Sequence, residues 1–477
     1  MAFLIGGANT LETGDFISNS LRLNDDDSPS LSFDLSSPTT DKFTISFWVK
    51  LTGARSYVAS LGKRLTGETG DDASINIDQG STGRLGVSAY DGVNDSNVAA
   101  YNSNTNQGAM LTDYSAWYNL VYAFDTGQAS AANRFKWYIN GVLQSGYNTT
   151  TTPSQNADLF PSSGSMFRIG RSLSVETRYA DCYLAQYYYV DGQQYDHTYF
   201  GKTDDNGVWV PVENGKGAGG AITFGTNGFY LEFKETGTSA NSSGIGADTS
   251  GNDNHLTPAN LASTDITIDT PQNNFCILNF LHKSTSNVVL SEGNLKVVLN
   301  QSTGWQHAAG TIAVKNGKWY WEAKALSVAA TDKTSIGVLQ FDTTDVDFVN
   351  VTNTDRAKKG ISGHVAGTGS YTYAEGDIIM CGMDLDNNKV YWGKNGTWFG
   401  SLDPAAGSGS TTQTISNANF CVPVVGGYGT SSWELNFGVP QFSISSGNSD
   451  ANGYGNFEYS VPSGFFALNT KNLAEHG

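Results

Sequence analysis

Six histidines, at positions 197, 255, 282, 307, 364 and 476, are the first place to look for catalysis, and none sits in a nucleophile or metal motif. His255-Leu256-Thr257-Pro258 lacks the Glu and second His of an HExxH zinc helix, and Gly367-Thr368-Gly369-Ser370 does not form the GxSxG turn that exposes a nucleophilic serine. Gly217 to Gly228, GAGGAITFGTNG, has the glycines of a phosphate loop without its Lys-Ser/Thr pair or its helix, and reads as an ordinary loop. A carboxylate pair for glycoside hydrolysis is defined by geometry rather than spacing, and nothing in the sequence marks an acid for that role. No catalytic residue is therefore assigned, and the chain is expected not to be an enzyme.

Two other kinds of chemistry are better supplied. Asp25, Asp26 and Asp27, with Asp34 nearby, could give oxygen ligands to Ca²⁺, although the same run also reads as a solvated turn that starts a strand. Asp71-Asp72 and Asp384 with Asp386 are weaker versions of the same idea, and no other cofactor is expected. Aromatic rings offer flat faces to the C–H face of a sugar while neighbouring amides and carboxylates bond its hydroxyls. Tyr57, Tyr90, Tyr101, Trp305, Tyr371, Tyr373 and Trp398 lie in or beside polar, Gly-rich stretches expected to be loops, and they are the ligand-binding candidates. Phe47, Trp117, Trp137, Trp319, Trp321, Trp392 and Trp433 fall inside strand patterns and are assigned to the core.

The elements that must position these residues are strands. FTISFWVK (Phe43 to Lys50) alternates with period two, as a half-buried strand does. WYNLVYAFD (Trp117 to Asp125) and FKWYI (Phe135 to Ile139) follow, and Asn140-Gly141 is a strong hairpin signal. FRIGRS (Phe167 to Ser172) and CYLAQYYYVDG (Cys182 to Gly192) complete a first set. Tyr187-Tyr188-Tyr189 should then turn at least one ring outward if one face of its strand is open. A second set contains GKWYWEAKAL (Gly317 to Leu326), SIGVLQF (Ser335 to Phe341), FCVPVVGGYG (Phe420 to Gly429) and SWELNFG (Ser432 to Gly438). Between its members, MDLDNNKVYWGKNGTWF predicts a meander with turns at 386–388 and 394–396. The expected fold class is all-β: two antiparallel, jelly-roll-like β-sandwich domains, residues 17–200 and 288–477, joined by an ordered Gly/Asn-rich connector, 201–287. Residues 1–16 carry no strand pattern and are read as an anchoring arm.

Composition narrows the partners. The 477 residues carry a formal charge of −18, with only 15% charged residues, 12% aromatics and 55 glycines. That sign of charge argues against nucleic acid, and no apolar run reaches the roughly 18 residues of a membrane span, so neither nucleic-acid binding nor membrane insertion is expected. The opening has neither the basic nor the apolar region of a secretory signal. Cys182, Cys276, Cys381 and Cys421 are far apart and read as buried thiols, with a Cys381–Cys421 bridge as the alternative.

The first strand set, in its order, resembles the laminin G and concanavalin A-like lectin jelly rolls over about residues 17–195. The second resembles an SPRY (B30.2) domain over about residues 288–468, through GKWYWE, SIGVL, GDIIMCGMDLDNNKVYWGKNG and the final LNFG and GFFAL. LRLNDDDSPSLSF (Leu21 to Phe33), GADTSGNDNHLTPANL (Gly246 to Leu261) and DTPQNNFCILN (Asp269 to Asn279) are similar to phrases of marine bacteriophage virion proteins. That resemblance implies a tail-fibre or other appendage subunit, assembled in the host cytoplasm and displayed on the virion. Its implied partners are other virion proteins, further copies of itself and host-surface glycans. A decoration or adaptor protein without a ligand is the alternative reading, and a polysaccharide depolymerase a lesser one.

Overall fold

The computed structural model describes residues 4–5, 16–53, 55–63, 71–78, 84–91, 96–103, 111–145, 147–173, 177–300, 305–328, 334–341, 358–360, 364–365, 369–370, 373–409, 415, 420–428 and 430–477. Its contacts divide the chain into two compact units, Glu12–Gln272 and Asn273–Gly477, and the short strand Leu4–Ile5 belongs to the second. Both are antiparallel β structures, as the strand patterns predict. The α-helix found among the described residues is Thr470–His476, capped by Asn469, whose side chain accepts from the Asn472 N–H.

The first unit is a sandwich of two sheets. One runs in the order Val142–Leu143, Phe135–Ile139, Trp117–Asp125, Lys42–Leu51, Cys182–Asp191, Ser20–Leu23, Ile266–Thr267. Phe229–Leu231 pairs with the remaining half of Cys182–Asp191. The other sheet runs Tyr147–Thr151, Ser96–Ser103, Arg84–Asp91, Asp71–Asp78, Arg55–Lys63, Met166–Ile169, Ser30–Asp34, Thr257–Ala259. Aromatic rings fill the space between them. Phe47 stacks on Tyr187 at 5.2 Å, Phe124 on Phe135 at 4.6 Å, and Phe167 of the second sheet meets Tyr189 at 4.7 Å. Asn140 and Gly141 adopt φ of 45° and 75°, as a two-residue hairpin turn requires.

The alternation in Phe43 to Lys50 predicts one open face, yet every one of these residues is buried. The chain after residue 192 supplies the missing cover. Phe200, Phe224 and Tyr230 join Val121, Tyr138, Tyr188 and Val190 in a second apolar cluster on the outside of the first sheet, flanked by Tyr195, Tyr199 and Ile222. Trp209 lies over the hairpin there: its indole N–H donates to Asn119 Oδ1 at 3.1 Å, and its ring comes so close to Gly141 and Gly201 that a Cβ on either would stand 2.4 Å from it. The expected outward ring of the tyrosine triplet is corrected for the same reason. Tyr187 and Tyr189 face the sandwich interior, Tyr188 faces the cover, and all three are buried.

Asp-centred turns clasp this cover in place. Asp248 accepts from the backbone N–H groups of Tyr230, Ser250 and Asn254 at 2.8, 2.8 and 2.9 Å. Asn252 and Asn254 donate to carbonyls of the Gly225 to Gly228 turn. Asn227 in that turn bonds Asp191 and both backbone groups of Ser36.

In the second unit one sheet runs Leu278–Lys283, Trp305–Gly310, Phe420–Tyr428, Thr334–Phe341, Lys358–Gly360, His364–Val365, Gly369–Ser370. The other runs Val288–Ser291, Lys296–Leu299, Ser431–Asn436, Lys318–Ser327, Ile378–Asp384, Lys389–Lys394, Thr397–Trp398. The last three strands form the meander expected from the two turn signals. Trp319, Trp321 and Trp433 are fully buried, as are all four cysteines, which are free thiols, so the Cys381–Cys421 bridge is not formed. Burial pushes the Cys421 thiol up to about 12 and Cys381 well above its usual range, which keeps both inert. Leu4–Ile5, within the segment read as an arm, pairs in parallel with Ile312–Ala313.

Candidate functional site

The seven aromatic candidates were expected on loops, and most lie on strands instead. Tyr57, Tyr90 and Tyr101 belong to Arg55–Lys63, Arg84–Asp91 and Ser96–Ser103, in the second sheet of the first unit. Their stretches read as loops because Gly, Asn, Ser and Asp alternate with the apolar residues, and that is also the composition of a sheet with one polar face. Trp305 opens the strand Trp305–Gly310. Trp398, half-buried on Thr397–Trp398, meets Tyr320 edge-on at 6.4 Å. Tyr373 is core rather than ligand face: it is 8% exposed and sets its ring against Trp433 at 5.4 Å. Tyr371 lies outside the described residues.

The pairing register separates the three tyrosines of the first unit. Tyr57 stands opposite Asn76, which stands opposite Gly86, then Asn102, then Asn148, one row across five strands. Tyr90 stands opposite Asp72, four residues from Asn76 on an unbroken strand and so on the same face. Ser74 and Ser88 pair between these rows. Tyr101 stands opposite Val87, which pairs with Ile75, and Ile75 is 2% exposed in the sandwich core. The sheet thus gathers Tyr57, Tyr90, Asp72, Ser74, Asn76, Ser88, Asn102 and Asn148 on one face and assigns Tyr101 to the other. Sequence reading named both tyrosines and missed the amide row, whose residues come from four strands and align only through register.

Asp25, Asp26 and Asp27 form a single exposed 3₁₀ turn. Asn24 Nδ2 donates to Asp27 Oδ2 at 2.9 Å, and partial burial together with the neighbouring Asp26 charge holds Asp25 above its ordinary value. Among the described residues no three His, Cys, Asp or Glu side chains gather as a metal centre would require. The turn links Ser20–Leu23 to Ser30–Asp34, and the chain around it pairs with the end of the unit. Ser30 to Ser32 pair with Thr257–Ala259, Asn260 Nδ2 donates to Ser28 O, and Arg22 donates to Thr264 O beside Asp265. Two of the phrases that prompted the virion resemblance are therefore partners in one clasp.

Residues 24–187 match the concanavalin A-like lectin/glucanases superfamily. The matched stretch contains both sheets' central strands and every residue of the polar face. No curated protein sequence matches the chain. Among solved structures, the chain is similar to the SPRY domain of human HERC1, at 15% identity over 33% of this chain and 96% of that one, with a TM-score of 0.25. It is also similar to a heptameric SAP-like pentraxin from Limulus polyphemus, at 15% identity, 38% and 80% coverage and a TM-score of 0.28. Domains LG4-5 of the mouse laminin alpha1 chain align over 90% of this chain and 93% of that one, at 7% identity and a TM-score of 0.29.

Proposed function

We propose that the concanavalin A-like sandwich binds glycans on the face that carries Tyr57 and Tyr90, and that the chain is an appendage subunit of a bacteriophage virion, of tail-fibre type. The observation that carries the glycan reading is the register: two tyrosines share one face with three amides, two hydroxyls and a carboxylate. Rings of that kind lie against sugar C–H faces, and the polar row bonds hydroxyls. The role is binding rather than chemistry. The SPRY-like reading of the second unit and the virion origin rest on the sequence resemblances.

Recombinant chain is expected to bind host cells and to compete with the particle for adsorption. Tyr57→Ala with Tyr90→Ala should lower that binding at least about tenfold, since stacked rings supply much of such affinity. Undiminished binding by the double variant would remove the site. A decoration or adaptor role is the second reading, favoured by Val142 and Leu143, which are 63% and 53% exposed on the edge strand of the first sheet. Copy number in purified particles separates the two: a few copies per tail fits the appendage, and a ratio near that of the major capsid protein fits decoration.

A further inference from the structure

Three buried polar atoms on the covered face of the first sheet have no hydrogen-bond partner within the protein: Ser46 Oγ, Trp48 Nε1 and Gln186 Oε1. Their residues are 0%, 3% and 2% exposed. Register makes them neighbours. Ser46 stands opposite Tyr188, Trp48 opposite Ala185, and Gln186 occupies the bulge between those pairs with φ of 48°. Phe47 points into the sandwich, so Ser46 and Trp48 belong to the opposite face, under the cover formed after residue 192. Gln186 reaches the same layer, because its Nε2 donates to Val212 O of the cover at 2.6 Å. That bond also fixes the amide orientation and leaves Oε1 as the outward acceptor. A fourth such atom, Asn214 Oδ1, follows two residues after Val212, at the head of a Gly-rich stretch with positive φ at Gly215 and Gly220.

Buried polar groups are nearly always satisfied, so four on one patch call for a partner from outside the chain. Their chemistry selects it. An indole N–H only donates, two amide oxygens only accept, and a hydroxyl does both. A cation would be opposed by the indole N–H and an anion by the amide oxygens. A neutral group that donates and accepts at adjacent atoms, as sugar hydroxyls do, satisfies all four.

We propose that this patch is a second binding site in the first unit, for a single neutral sugar residue that enters beneath the 212–220 segment. It shares no residue with the Tyr57 and Tyr90 face, so each site can fail without the other. The test is ligand-observed NMR on the full chain with glucose, galactose, mannose and N-acetylglucosamine at millimolar concentration. At least one is expected to bind, with affinity falling about tenfold in Trp48→Phe, which keeps a ring and removes the N–H, and unchanged in Tyr57→Ala. Ser46→Ala serves the same purpose if Trp48→Phe does not fold. Binding lost in Tyr57→Ala but kept in Trp48→Phe would overturn the proposal. So would a crystal structure grown with the sugars in which ordered water alone bridges the four atoms.

Discussion

Each unit buries one carboxylate completely, and the two do so by opposite means. In the first, Asp269 meets Lys50 at 2.6 Å, both side chains 0% exposed, with the Trp117 indole N–H donating at 3.2 Å. In the second, Glu322 accepts from four neutral donors: Tyr320 Oη at 2.9 Å, Asn436 Nδ2 at 3.2 Å, and the backbone N–H groups of Glu458 and Tyr459 at 3.0 and 2.8 Å. Both arrangements fasten a late segment to a central strand. The difference is what remains when one partner goes. Without its lysine Asp269 is a charge in an apolar interior, whereas Glu322 can lose one donor of four or simply take up a proton.

The comparison breaks most visibly at Lys50. Lys50→Met should cost the first unit about 3–5 kcal/mol in chemical denaturation, and adding Asp269→Asn should restore part of the loss by removing the stranded charge. A loss under about 1 kcal/mol would mean the pair contributes no more than a surface ion pair.

The pH dependence of the second unit is expected to hold two opposed slopes. Burial lowers His282 from 6.5 to about 4, so the unfolded chain binds that proton first, and the contribution is lost as pH falls from about 6.5 toward 4. It is worth about 2 kcal/mol, and His282→Gln should flatten that slope in a melting series. Burial raises Glu322 above its usual value against the pull of its donors. Here the native state holds the proton longer, so this contribution is present below the ordinary carboxylate range and fades as pH rises through the raised value.

Glu322→Gln is the smallest perturbation and the sharpest probe. It should cost about 1–3 kcal/mol near neutral pH, because an amide N–H₂ must replace an acceptor that now faces donors, and it should abolish the second slope. An unchanged slope would assign that titration to another group.

Much of the architecture was legible in the chain. Strand runs around Phe43, Trp117, Phe135, Cys182, Lys318 and Ile378 declare themselves through β-branched and aromatic residues, and Asn140-Gly141 and the 386–388 turn through their turn chemistry. The tryptophans assigned to the core are buried, because a ring of that size inside a strand pattern has nowhere cheaper to go. The polar segment after residue 192 misled, since its apolar residues, Phe200, Phe224 and Tyr230, are too widely spaced to show a period.

The sequence by itself determined the all-β class, the succession of strands and which large rings would be buried, because these follow from local propensity and side-chain size. Only the tertiary structure decided that the first sheet is covered on both faces. It alone aligned Tyr57 and Tyr90 with an amide row and sent Tyr101 inward, and it alone set Lys50 against Asp269 across 219 positions. Facing, register and ion pairing are relations between distant segments, and each depends on a pairing geometry that no local stretch of chain encodes.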